Sequence, residues 1–200
     1  GNEPYLGIEA IYVFDRIIVD VLKRNTLTAK YTQTHRKELT DLQKAACEII
    51  PQGISIALSI RELIRQAYLL SAQILMRPFI ERVALLSYLQ KNPDAVALWK
   101  AGWEFKKRPK LKKMMKSLGM TEEDANYVCD EHNHLVHGDP MSSHYNLVQI
   151  DKSHFGYASS KILDNTKLAE MTAAESVSYL TILNAIMKDI FPHTVILEDE

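Results

Sequence analysis

Residues 54–91 read ISIALSIRELIRQAYLLSAQILMRPFIERVALLSYLQK, and this stretch decides the fold. It contains no glycine and a single proline, Pro78, and its apolar positions fall on more than one face of a helix. A helix that is hydrophobic nearly all round belongs in the middle of a bundle. Arg61, Glu62, Arg65, Arg77, Glu81 and Arg82 interrupt the run, which leaves it short of the ~20 apolar residues of a membrane span. Pro78 removes one backbone donor, so the spacing predicts a kink or a division there.

Working outward, Pro51-Gln52-Gly53 reads as the end of a preceding helix that Thr34 caps and that carries Leu39, Leu42, Ala46, Ile49 and Ile50. Before it, Leu6 to Arg24 has apolar residues at helical spacing. Asn25 is the expected stop, and Thr26 to Gln33 the expected connector. On the other side, Asn92-Pro93-Asp94 restarts a helix whose inner face is Ala95, Leu98, Trp99 and Trp103. Pro109 to Leu118 is a short basic helix that Gly119 can close. Thr121 opens another with Asp124 at the capping-box position, and Gly138-Asp139-Pro140 ends it. Residues 141–164 read as a long loop or small hairpin turning at Gly156. Thr166 to Phe191 is a final helix with Leu168, Met171, Val177, Leu180, Leu183 and Ile186 toward the core. The whole predicts a single all-α domain over residues 1–200, a bundle of five to seven helices.

Composition bounds the function. The chain has 200 residues, 46% of them hydrophobic and 24% charged, which suits a globular domain with a real core. A net charge of -1 supplies no general pull toward nucleic acid or membrane, so any electrostatic partner must meet a local patch. Cys47 and Cys129 are far apart and fit free thiols in a reducing compartment. Glu3, Glu9 and Asp15 interrupt any apolar leader. The expectation is a soluble, cytoplasmic protein with no cofactor.

Chemistry concentrates in Asp130-Glu131-His132-Asn133-His134-Leu135-Val136-His137-Gly138, which holds three of the seven histidines. Histidine is the side chain whose ordinary pKa lies nearest neutrality. At about 100° per residue, His132 joins Ala125, Leu135 and Val136 on the apolar side, as a core histidine satisfied by one hydrogen bond. Asp130, Asn133, His134 and His137 gather on the opposite side. Three readings compete there. The group is a solvated face favoured by the helix dipole; or Asp130, His134 and His137 converge on a metal; or His137 performs acid–base or RNA chemistry.

His132-Asn133-His134-Leu135-Val136-His137 resembles the signature of the HEPN superfamily, the higher eukaryote and prokaryote nucleotide-binding helical domains. That signature is an arginine, a polar residue, three further residues and a histidine. Asn133 takes the polar position and His137 the terminal histidine, while His132 stands where the family has arginine. The segment Leu75-Met76-Arg77-Pro78-Phe79-Ile80-Glu81, with the later Leu-Val-His-Gly, also looks like a group of bacterial helical proteins near this set. The resemblance implies RNA or nucleotide handling, as a metal-independent ribonuclease in a defence or toxin–antitoxin setting, working as a homodimer. It leaves open a non-catalytic interaction module with a protein partner such as an antitoxin. Bound metal would instead indicate a hydrolase.

Imidazole cannot supply the permanently charged, bidentate grip of a guanidinium on phosphate. Arg77 and Glu81, spaced i,i+4 on the central helix, are candidates to complete the site. Arg77 would stabilise phosphate charge, and Glu81 would orient Arg77 or His137. Asn133 would position the phosphate, with His137 as general acid or base. Alternatively the pair is merely the wet side of the helix. Lys106, Lys107, Arg108, Lys110, Lys112 and Lys113, following Trp99, Trp103 and Phe105, form a second candidate, an RNA-binding surface. The competing reading is a solvated helix with Leu111, Met114 and Met115 buried beneath snorkelling lysines.

Overall fold

The computed structural model describes residues 3–103 and 108–194. Among them are seven α-helices: α1 Glu9–Thr34, α2 Asp41–Arg65, α3 Leu69–Lys91, α4 Pro93–Lys100, α5 Leu111–Lys116, α6 Glu122–His137 and α7 Thr166–Ile190. A 3-10 turn, Pro140–Asn146, leads from α6 into an antiparallel hairpin of β1 Leu147–Gln149 and β2 Phe155–Tyr157. The protein is an all-α bundle. No helix of the described residues is long and apolar enough to cross a membrane.

Helix α3 is the hub and packs against α2, α4, α5, α6 and α7. Met76, Phe79, Ile80 and Val83 are fully buried on it, as are Ala57, Ile60 and Ile64 on α2 and Leu180 and Leu183 on α7. Pro78 neither kinks α3 into two elements nor ends it; the helix runs through. The division falls eleven residues earlier, at Gln66-Ala67-Tyr68. There Ala67 has φ 64°, Tyr68 N–H donates to Leu63 C=O at 2.8 Å and Ala67 N–H to Ile64 C=O at 2.9 Å. This is a Schellman close built on alanine where glycine is usual. Nothing in the residue types signalled it.

Two other expected boundaries move for packing reasons. Helix α1 continues past Asn25 to Thr34, because Arg24 and Thr28 are buried and Tyr31 meets Phe191 edge-on. Helix α2 passes through Pro51-Gln52-Gly53, and its true cap is Thr40, which makes a full capping box with Gln43. Gly53 is a contact residue: a Cβ there would sit 3.6 Å from Leu183 Cδ2 and 3.7 Å from Arg82 Cβ. Leu98 and Met171, expected inside, are exposed. Gly156 lies within β2 opposite Val148, and the hairpin turns at Asp151–His154.

Candidate functional site

Helix α6 is set by its two ends. Thr121 accepts from the Asp124 N–H at 3.1 Å, and Gly138, at φ 65°, closes the C-terminus in the left-handed region. Between them Ala125, His132 and Leu135 face the core. His132 is buried as expected, and its Nε2 meets Glu175 of α7 at 2.9 Å. Its Nδ1 is buried with no partner among the described residues. The position that the HEPN signature gives to arginine is therefore a joint between α6 and α7, turned away from solvent.

On the other side of α6 the structure brings two of the predicted residues together. Arg77, half-buried on α3, donates through Nη1 to Asn133 Oδ1 and lies 3.5 Å from the Cys129 carbonyl. No carboxylate pairs with it among the described residues. His137 is the last residue of α6, one turn beyond Asn133 on the same face, exposed and without a side-chain partner among the described residues. Glu81 is drawn away. It accepts from Arg108 and lines a separate groove of about 260 Å³ with Gln52, Arg82, Trp99 and Trp103. Arg77 and Glu81 share a helix face but form no pair.

The acid–base groups around α6 are tied to specific partners. His134 Nδ1 lies 3.2 Å from Asp139 Oδ2. The Met141 N–H and, secondarily, His134 hold the Asp139 carboxyl below its usual range. Tyr145 donates to Glu131; burial, together with that carboxylate, pushes its phenol well above 10. Burial also raises the Cys129 thiol, and the charge of Arg77 works in the opposite direction. His134 is thus occupied, and no group of three His, Cys, Asp or Glu side chains is placed to hold a metal among the described residues.

In the described part of the basic stretch, Arg108, Lys112 and Lys116 meet acids. Lys106 and Lys107 lie outside the described residues. Lys112 and Lys116 meet Glu122 at 3.0 and 2.7 Å, which lowers that carboxyl to about 2. Lys113 stands 5.7 Å over the Tyr88 ring, and Arg108 is bound to Glu81. Lys110 alone of this series is exposed without a partner among the described residues. Leu111, Met114 and Met115 are buried beneath, and Trp99 and Trp103 pack against the core.

Glu175, Glu131 and Tyr145 were not legible in the sequence. Their partners lie 43 and 14 residues away, and no local pattern joins them. No family model matches the chain, and searches of curated proteins and solved structures also return no match.

Proposed function

We propose that this chain is a HEPN-like helical protein that handles RNA or nucleotides, with Arg77 as its phosphate contact. The observation that carries the reading is the Arg77–Asn133 contact. Among the described residues the guanidinium has no opposing carboxylate and is held by neutral acceptors, and one turn beyond Asn133 stands an exposed histidine without a side-chain partner. Such an arginine keeps donors and full charge for an oxyanion. Asn133 fixes its orientation. His137 takes the proton of a 2′-hydroxyl, or returns one to the leaving oxygen, a task suited to imidazole near neutrality. Two such faces brought together in a homodimer supply one histidine for each proton transfer. None of these steps requires a metal.

Purified protein should cleave a mixed single-stranded RNA in EDTA. His137→Ala should lower the rate by roughly 10²-fold or more, the usual contribution of a positioned acid or base. Arg77→Ala should lower cleavage and RNA binding together, with folding checked by circular dichroism. Wild-type protein that neither binds nor cleaves RNA would sink the reading. Sedimentation at micromolar concentration tests the dimer.

A second reading, a non-catalytic module that binds without cleaving, has one observation in its favour. His132 is buried against Glu175, so the first position of the signature presents nothing to a substrate. RNA binding that depends on Arg77, with no cleavage by wild type, would select it.

A further inference from the structure

Helices α6 and α7 both pack on α3 and leave between them a groove of about 320 Å³, to which Gln73 of α3 and Tyr145 of the 3-10 turn also contribute. Arg77, Asn133 and His137 do not line it. We infer that this groove is a separate binding site, for a linear alkyl diammonium ion held by Glu131 and Glu175. The inference stands apart from the reading of Arg77.

Charge comes first. Glu131 enters the groove from α6 and Glu175 from α7. Glu131 accepts from Tyr145, Glu175 lies 2.9 Å from His132 Nε2, and no lysine or arginine meets either carboxylate among the described residues. Burial raises the Tyr145 phenol first and Glu131 raises it next, with the charge of Glu175 adding to both, so the two acids share one small space. Carboxylates drawn partly out of water without a counter-ion are costly, and a concave site concentrates their field.

The second observation is His132. It is 3% exposed, it lines the groove, and its Nδ1 has no partner among the described residues. Nε2 faces a carboxylate, which only accepts, so in the neutral ring Nε2 carries the proton and Nδ1 holds a lone pair. A buried acceptor left without a donor is costly. An ammonium brings three donors and no acceptor, the complement of that lone pair and the two acids.

The walls suit a methylene chain. Val128 and Met171 are apolar, and Tyr127 is 70% exposed, with no ring partner among the described residues, so its face is open to a cation. Gln73 donates to Thr172 Oγ1 at 2.8 Å, and its amide and the Tyr127 hydroxyl can each donate as well as accept. The two carboxylates, and not hydrogen-bond matching, therefore set the sign of the ligand. The volume lies at the small end of ligand sites, which fits two charges joined by a short chain.

The test titrates the full chain by calorimetry at pH 8, where an ordinary imidazole is neutral and an alkylamine is charged. The probes are 1,4-diaminobutane, n-butylamine, butane-1,4-diol and magnesium ion. 1,4-Diaminobutane should bind about tenfold or more tighter than n-butylamine, the effect of one more charge-assisted contact, and the diol should not bind. Glu131→Gln and Glu175→Gln should each weaken the diamine by about tenfold or more. Tyr127→Ala should weaken it about threefold and Tyr127→Phe should not. Ala174→Trp fills the groove from an exposed position of α7 and should abolish binding without touching a carboxylate. Arg77→Ala should leave the diamine unaffected. No diamine binding, or binding indifferent to both glutamine variants or to Ala174→Trp with folding confirmed by circular dichroism, would overturn the site. Magnesium binding as tightly as the diamine would overturn the organic ligand, and n-butylamine binding as tightly would overturn the demand for two charges.

Discussion

Arg61 and Arg77 are both half-buried arginines on long apolar helices, and their surroundings differ completely. Arg61 grips Asp15 of α1 with two parallel bonds of 2.6 and 2.9 Å. Its Nη1 also approaches Glu3 to 2.6 Å, without the alignment of a hydrogen bond. Burial alone would lower its pKa; the two carboxylates outweigh burial and raise it. Arg77 has an amide oxygen and a backbone carbonyl, and no acid. Arg24 shows that neutral partners alone do not make a site. It too is held by neutral oxygens, Asn184 Oδ1 at 2.7 Å and Thr194 C=O at 3.1 Å, but it is shut inside the α1–α7 joint. What distinguishes Arg77 is uncompensated charge combined with access. Arg61 is bound up in stabilising the fold, and Arg77 is committed to no carboxylate among the described residues.

The largest expected effect separates the two directly. Arg61→Ala removes the cation between Glu3 and Asp15 and should cost about 2–3 kcal/mol, less than a fully buried pair because Asp15 is partly exposed. Thermal unfolding would then fall by roughly 5–10 °C in a chain of this size. Arg77→Ala leaves two neutral acceptors that water can reach, so its cost should stay within about 1 kcal/mol. If Arg77→Ala proved the more destabilising substitution, Arg77 would be a structural residue and the contrast would collapse.

A middle effect concerns the position where the HEPN signature has arginine. Glu175→Ala leaves the buried His132 with both ring nitrogens unpartnered and should cost about 1–3 kcal/mol. Glu175→Gln, which can still offer an oxygen to Nε2, should recover most of that. Neither change should alter phosphate affinity, because His132 sits in the α6–α7 joint while Arg77 faces the other side of α6. A loss of phosphate binding in Glu175→Ala at full folding would place His132 in the site after all.

These residues also show what the sequence could and could not disclose. The apolar run around Phe79 and Ile80 announces a central helix because burial on all sides leaves no polar stripe to hide. His132 could be assigned to the core, and Asn133 and His137 to the opposite face, because helical geometry fixes angles over a few residues. Thr121 and Gly138 could be read as caps because their chemistry is local. The end of α2 at Ala67 could not be read. A left-handed alanine is imposed by what surrounds it, including the Ile162 N–H that donates to its carbonyl at 2.9 Å. The partners of the site were hidden for the same reason. Glu81 looked like the companion of Arg77 at i,i+4, but Arg108 draws it away across 27 residues. Sequence spacing decides which groups share a face, and tertiary packing decides which of them pair.

The smallest effect is the most direct report on Arg77. Cys129 carries the carbonyl that Arg77 approaches, and its thiol feels two opposed influences: burial raises its pKa, and the guanidinium charge lowers it. Asp130 and Lys112 act more weakly, upward and downward respectively. In a Cys47→Ser background, the pH dependence of iodoacetamide alkylation follows Cys129 alone, because thiolate is the reacting form. Arg77→Ala should move that profile to higher pH, and Arg77→Lys, which keeps a positive charge, should move it less. Saturating inorganic phosphate should shift the wild-type profile in the same direction as Arg77→Ala, since an anion on the guanidinium cancels the charge that the thiolate feels. Arg61→Ala, at a temperature where it remains folded, should leave the profile in place. A Cys129 profile that ignores Arg77→Ala would show that the charge does not reach the thiol. A profile that responds to Arg77→Ala but not to phosphate would mean that the free guanidinium does not take an anion, and the difference between Arg61 and Arg77 would lose its functional meaning.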